Sequence, residues 1–195
     1  MKKNPFSLLL IATGILVSLS VQSQGLKMLE LNNGFKNYKL GSKYSSVYGI
    51  KNKDEDGADK VVISYTTEKI GEIPVQLIEL FYLKDTLSKI LVHVSPENHS
   101  KLLEGCNNSF GQPTTDLSDN EATRKAKNDN TNSGNSYRDQ YLWKTKNFSM
   151  EYYYIYPKVS GNAYSARELI LNYSFNNFNA RLQKAKKGSL SRKDF

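Results

Sequence analysis

The 195-residue chain is poor in the residues that build disulfide frameworks and metal centres, with one cysteine, Cys106, and two histidines, His93 and His99. A single cysteine excludes a disulfide within the chain, and two histidines leave little room for a histidine-built metal site. No nucleophile elbow, phosphate-binding loop or paired-carboxylate spacing occurs in it. We therefore expect a non-enzymatic protein without a cofactor; catalytic groups that converge from distant strands are the alternative.

Excess positive charge is absent from most of the chain, although the formal net charge is +8. Residues 1–23 carry two lysines and no acid, and residues 181–195 carry a net +5; subtracting both leaves +1 for residues 24–180. Because nucleic-acid binding requires a basic stripe on the folded surface, we expect no nucleic-acid partner. The basic end is either a solvated tail or one that touches an anionic surface such as lipid headgroups.

Residues 1–23 have the pattern of a secretory signal peptide. Lys2 and Lys3 precede an apolar stretch, 6–21, and small or modest side chains occupy the expected cleavage site. The stretch is shorter than the roughly 20 apolar residues that span a bilayer. We expect cleavage near Gln24 and an exported bacterial protein, periplasmic or secreted, with no transmembrane segment in the mature chain; an uncleaved anchor is the alternative.

Hydrophobic periodicity predicts a single α+β domain over residues 24–180, followed by a basic tail, 181–195. Strands are predicted at 61–67, 73–83, 87–94, 137–146, 148–156 and 166–175, and helices at 43–50, 95–110 and 177–187. The expected architecture is an antiparallel sheet of about six strands in two meanders, with the helices packed on one face. Residues 114–136 are almost wholly polar and are predicted to form a flexible loop.

Three short motifs resemble a recurrent layout of small exported domains. They are Leu40-Gly41-Ser42 with Val47 beyond a four-residue gap, the segment Phe81–Ile90, and Phe110-Gly111-Gln112-Pro113 at the end of a predicted helix. In these motifs residues 40–113 are similar to domains of the beta-lactamase-inhibitor-like and outer-membrane-assembly-lipoprotein kind. The resemblance implies a helix-on-sheet module that binds other proteins, and it brings no catalytic residue. The chain departs from the pattern in having no lipid-anchor cysteine.

Aromatic residues concentrate in the strands predicted between residues 137 and 175. Strands favour aromatic residues, so core packing explains them. The alternative is an exposed aromatic platform for a sugar, a peptide or a partner protein, because a tyrosine ring buries a flat apolar face and keeps its hydroxyl wet. The candidate ligand-binding residues are Tyr141, Trp143, Tyr152, Tyr154 and Tyr156.

Asn52, Asp54 and Asp56, followed by Gly57, resemble the start of a calcium-binding loop, in which alternate oxygen side chains converge on one cation. The pattern fails at Ile63, where a bidentate glutamate belongs. A solvated acidic turn is the alternative, and we expect no metal.

Cys106 is seven residues from His99 on a predicted helix. At 1.5 Å per residue this is about 10 Å along the axis, far beyond hydrogen-bond reach. Cys106 shares its helix face with leucines, so we expect a buried thiol rather than a nucleophile.

Together these patterns predict an exported, non-enzymatic interaction module whose partner is an unknown protein or glycan of the cell envelope. The alternative is a carbohydrate- or small-ligand-binding domain that uses the aromatic strands 137–175. Exposure distinguishes the two, because a platform requires Trp143 and the alternate tyrosines to line a groove.

Overall fold

The computed structural model describes residues 24–120, 137–156, 159–160, 163–164 and 168–190. Within these ranges the α+β class is confirmed, since helices pack against an antiparallel sheet. The expectation of about six strands is wrong, because short strands extend the sheet to nine. The helices also do not all lie on one face, since the last one packs against the opposite side from the first two.

The described part of the chain contains three α-helices and thirteen strands, with runs of consecutive strands between the helices. Helix α1 covers 24–32, α2 covers His99–Phe110 and α3 covers Phe178–Leu190. The short strands are β1 (Gly34–Phe35), β2 (Tyr38–Lys39), β3 (Asn52–Lys53), β5 (Lys69–Ile70), β8 (Thr115–Asp116), β11 (Val159–Ser160) and β12 (Ala163–Tyr164). The long strands are β4 (Asp59–Ile63), β6 (Ile73–Leu83), β7 (Thr86–Val94), β9 (Tyr137–Lys144), β10 (Phe148–Tyr156) and β13 (Glu168–Phe175).

The main sheet joins two antiparallel meanders edge to edge. Its strand order is β3-β4-β6-β7-β13-β10-β9-β8, with β5 paired to one end of β6. The predicted meanders are therefore present as β4-β6-β7 and β9-β10-β13, and the pairing of β7 with β13 connects them. This long-range pairing places residues from the two halves of the chain side by side on both faces of the sheet.

One face of the sheet forms the main core. Alternate residues of β10, namely Phe148, Met150, Tyr152 and Tyr154, are buried on this face, because successive strand side chains point to opposite sides. Leu29 of α1 with Leu102 and Cys106 of α2 cover them. We call this the helix-covered face.

The opposite face carries a smaller apolar cluster under α3. Phe81 and Leu83 of β6 contact Leu182 of α3 and Ala58 there, with Phe178 packed at the edge. The domain boundary expected at residue 180 thus falls inside α3, and the basic segment from 181 to 190 is helical. We call this the α3 face.

The predicted helix at 43–50 is wrong. Lys43 instead forms a β-bridge with Thr86, and the Tyr44 hydroxyl donates to the Gly49 carbonyl oxygen at 2.8 Å. The bridge places the start of the segment beside Thr86, and the Tyr44–Gly49 hydrogen bond spans the one 3-10 turn, Ser46–Tyr48, that remains. The helix predicted from residue 95 begins with a 3-10 turn, Pro96–Asn98, before α2.

Two predictions fall wholly or partly on residues outside the described ranges. They are the signal peptide, 1–23, and most of the predicted flexible loop, 121–136. The described start of that loop contains β8, which pairs with β9. Among the described helices none is both long and apolar enough to cross a membrane.

Candidate functional site

The aromatic residues singled out from the sequence lie on the helix-covered face. Trp143 is 0% exposed, Tyr152 1% and Tyr154 4%. The Trp143 indole Nε1 donates to the carbonyl oxygen of Gly111 at 2.8 Å, and the Tyr152 hydroxyl donates to that of His99 at 3.0 Å. The three rings are core residues fixed to α2, so they do not form an exposed platform.

The two remaining candidates, Tyr141 and Tyr156, are half-buried at the edges of the same cluster. Tyr141 packs on Tyr152 with ring centroids 5.9 Å apart, and the Tyr156 hydroxyl donates to Asp139 at 2.7 Å. Tyr156 also packs edge-on against Tyr154. The rings thus contact one another rather than lining a groove.

The acidic residues between β3 and β4 form a charged turn. Asp54 pairs with Lys60 at 3.4 Å, Asp56 pairs with Lys186 of α3 at 3.4 Å, and Asn52 lies in β3. Within the described ranges no group of three or more histidine, cysteine or acidic side chains is placed to hold a metal ion. Asp54 and Asp56 thus form separate ion pairs with two different lysines.

Cys106, His93 and His99 each make packing or hydrogen-bond contacts within the fold. Burial raises the pKa of the Cys106 thiol to about 12, which keeps it protonated at neutral pH. His99 stacks on Tyr154 with centroids 4.7 Å apart, and His93 Nε2 lies 3.1 Å from Glu79. The hydrogen bond from His93 holds the pKa of Glu79 below its usual value.

The α3 face carries a row of polar side chains across four strands. In register across β7, β13, β10 and β9, the row reads Lys89, Ser174, Ser149 and Lys144. Strands lie about 4.8 Å apart, so the α-carbons of the two lysines are roughly 14 Å apart with the serines between them. We call these four residues the cross-strand row.

A second row, two residues further along each strand, reads Leu91, Asn172, Glu151 and Leu142. The Asn172 Nδ2 donates to one Glu151 oxygen at 2.9 Å, and the Gln140 amide donates to the other. Both oxygens of this carboxylate are therefore engaged. The Oδ1 of Asn172 is buried and has no hydrogen-bond partner within the described part of the chain.

Helix α3 closes one side of a cleft above these two rows. Phe178 and Asn179 from its first turn, with Phe175 and Asn176 at the end of β13, complete a space of about 390 Å³. This is large enough for a small polar ligand. Its floor is the cross-strand row with Glu151 and Asn172, and its rim is apolar at Leu142 and the two phenylalanines.

Lys89 is the unusual group of the cleft. Its ammonium lies 4.6 Å from the ring centroid of Phe81 and 5.5 Å from that of Phe178. No described carboxylate lies within ion-pair distance of it. Partial burial lowers the pKa of Lys89, and the more distant Asp54 and Glu79 oppose that shift. A cation held by rings alone retains all three N–H donors for a ligand.

Sequence reasoning missed this cleft. The alternation in β10 places Ser149 and Glu151 opposite the aromatic face, and that signal was available in the sequence. The sequence does not show which residues lie beside them, because Lys89 comes close to Ser149 and Glu151 only through the pairing of β7 with β13.

No protein-family model, curated protein or solved structure matches this chain. The chemistry of the site is therefore inferred from its own geometry. That geometry offers hydroxyl, amide and ammonium groups around a small space, which suits binding of a polar molecule by hydrogen bonds and charge.

Proposed function

We propose that the protein is an exported, non-enzymatic binding module whose working site is the cleft between the cross-strand row and α3. This function corresponds to the small-ligand alternative from the sequence, but the proposed site lies on the α3 face of those strands rather than on their aromatic face. The observation that carries it is a set of polar groups around one small space that have no partner among the described residues: the Lys89 ammonium and the hydroxyls of Ser149 and Ser174. Water can solvate these partly exposed groups in the open cleft, and a ligand of matching chemistry would replace that water with direct hydrogen bonds.

The test is chemical-shift mapping of backbone amides in the mature chain with a panel of neutral sugars, sugar acids, amino acids and phosphate. At least one class should shift the amides of β10 and β13 around Ser149 and Ser174. Ser149→Leu, which fills the cleft, should abolish these shifts.

Ser100→Leu is the matched control, since Ser100 is exposed on α2 at the opposite side of the sheet. It should bind as the unmodified protein does. A panel in which no compound perturbs the cleft, or in which shifts centre on Tyr141 and Tyr156, contradicts the proposal.

A partner protein is the second candidate, and exposed apolar side chains favour it. Val47 is 83% exposed and Ile50 82%, both on the segment between β2 and β3, and Tyr65 is fully exposed. Exposed apolar groups of this kind contribute to protein interfaces when they cluster.

A pull-down of the mature chain from the native envelope fraction tests this candidate. A specific partner should be recovered with the unmodified chain and lost with the double variant Val47→Ser, Ile50→Ser. Recovery unaffected by the double variant, or no specific partner at all, removes this candidate.

A further inference from the structure

We infer that the ligand of the cleft is an acidic sugar, a hydroxylated monocarboxylate of monosaccharide size, whose carboxylate binds the cross-strand row. This inference rests on the function proposed above and names the ligand class of that same site.

The charge of the cleft indicates a single negative charge on the ligand. Lys89 and Lys144 stand at the two ends of the row, and among the described residues Glu151 is the one acid that lines the space. The cleft thus carries a net charge of one positive unit. Amides engage both Glu151 oxygens, and no ion pair joins this carboxylate to Lys89 or Lys144, so both ammonium groups can bind an external anion.

The hydrogen-bonding groups indicate hydroxyls on the same ligand. The side-chain oxygens of Ser149 and Ser174, which line the floor of the cleft, have no hydrogen-bond partner among the described residues. The Oδ1 of Asn172 is closed off from the cleft, so the serines are the groups that a ligand hydroxyl can reach. Each serine hydroxyl both donates and accepts, as the hydroxyls of a sugar do.

The apolar rim indicates a ligand with a C–H face. Phe175 and Phe178 border the cleft on the α3 side and Leu142 borders it on the β9 side. Sugar rings present hydrogen-bonding edges and apolar C–H faces, so floor and rim together match both surfaces of one ring.

A phosphate dianion fits less well. The described residues that line the cleft include no arginine, the side chain whose planar fork suits phosphate. The guanidinium of nearby Arg181 lies over the Phe175 ring, 4.3 Å from its centroid. The described lining residues carry two lysines and one carboxylate, so one negative charge on a ligand neutralises the cleft. The second negative charge of a dianion would have no cation to pair with and would be repelled by Glu151.

Isothermal titration calorimetry of the mature chain tests the inference with four probes: D-glucuronate, D-glucose, acetate and inorganic phosphate. Glucuronate should bind most tightly, since it alone carries both the carboxylate and the hydroxyls. Lys89→Met should weaken glucuronate binding by about tenfold or more, and Lys144→Met should weaken it less because Lys144 is more exposed. Lys27→Met on α1 is the matched control and should change nothing.

The outcomes separate this inference from the proposed function. Equal affinity for glucose and glucuronate, or binding unchanged in Lys89→Met, overturns the acidic-sugar inference while the cleft stays a ligand site. Tighter binding of phosphate than of glucuronate overturns it as well. Binding of none of the four also overturns it, and the wider panel of the amide-shift experiment then decides whether the cleft binds small molecules at all.

Discussion

Lys89 is a partly buried cation. Two aromatic rings contact its ammonium, where a carboxylate would ordinarily pair with it. In a protein selected for stability alone, such a lysine would gain from an acidic partner or from replacement by an apolar residue. The neighbouring Lys60 shows the ordinary solution, since it pairs with both Asp54 and Glu79 and its pKa is raised. The contrast between these two lysines on one sheet face is the main residue-scale support for the proposed binding site.

Stability should therefore depend on the ionisation of Lys89. Burial lowers its folded-state pKa below the ordinary 10.5, against the opposing fields of Asp54, Glu79, Asp56 and Glu151. Between the lowered value and 10.5 the unfolded chain holds this proton more tightly than the folded chain. The free energy of unfolding therefore rises with pH in that window.

Urea unfolding of the unmodified protein and of Lys89→Met, over a series of pH values up to 10.5, measures this dependence. The unmodified protein should gain stability relative to the variant as the pH rises, while titrations common to both cancel in the difference. A difference in stability that is constant across the window would contradict the assignment of a strained ammonium to Lys89.

At the scale of elements, the helices on the two faces differ in what they cover. Helices α1 and α2 seal the main core, whereas α3 covers only part of its face and leaves the cleft beside it. The two sealing helices touch closely: a β-carbon added to Gly25 of α1 would lie 2.5 Å from the carbonyl carbon and oxygen of Phe110 at the end of α2. The absence of a side chain at Gly25 allows this approach.

Gly25→Ala should lower the free energy of unfolding by about 1–3 kcal/mol, because the helices must separate and loosen the core beneath them. Gly105→Ala is the matched control, since nothing lies within 4 Å of an added β-carbon at that position on α2. The control should raise stability by about 0.5–1 kcal/mol through helix propensity. Equal effects of the two changes in urea unfolding would show that the α1–α2 contact carries no packing constraint.

At the scale of the whole molecule, sequence periodicity predicted the long strands and both meanders. The buried faces of β6, β7, β10 and β13 follow from alternation within each strand. Residue order along one strand carries no information about which strand lies beside it, so the β7–β13 junction, and with it the cross-strand row, was not predictable. The helix predicted at 43–50 failed for a similar reason, since a bridge from Lys43 to Thr86 outweighs a local N-cap signal.

Export is predicted from residues 1–23, which lie outside the described ranges, so the structure does not test it. The mature protein recovered from the envelope or medium of a bacterial host should begin at or near Gln24, as N-terminal sequencing or intact-mass measurement will show. Recovery of the full-length chain from the membrane fraction, with residues 1–23 still attached, would support the uncleaved anchor instead.

A crystal structure of the mature protein grown with D-glucuronate tests the assignment of the cleft as an acidic-sugar site without relying on any variant. We expect the sugar between the cross-strand row and α3, with its carboxylate beside Lys89 or Lys144 and a hydroxyl hydrogen-bonded to Ser149 or Ser174. An ordered sugar on the helix-covered face or against Tyr141 and Tyr156, or a cleft that holds only water at saturating glucuronate, would contradict it.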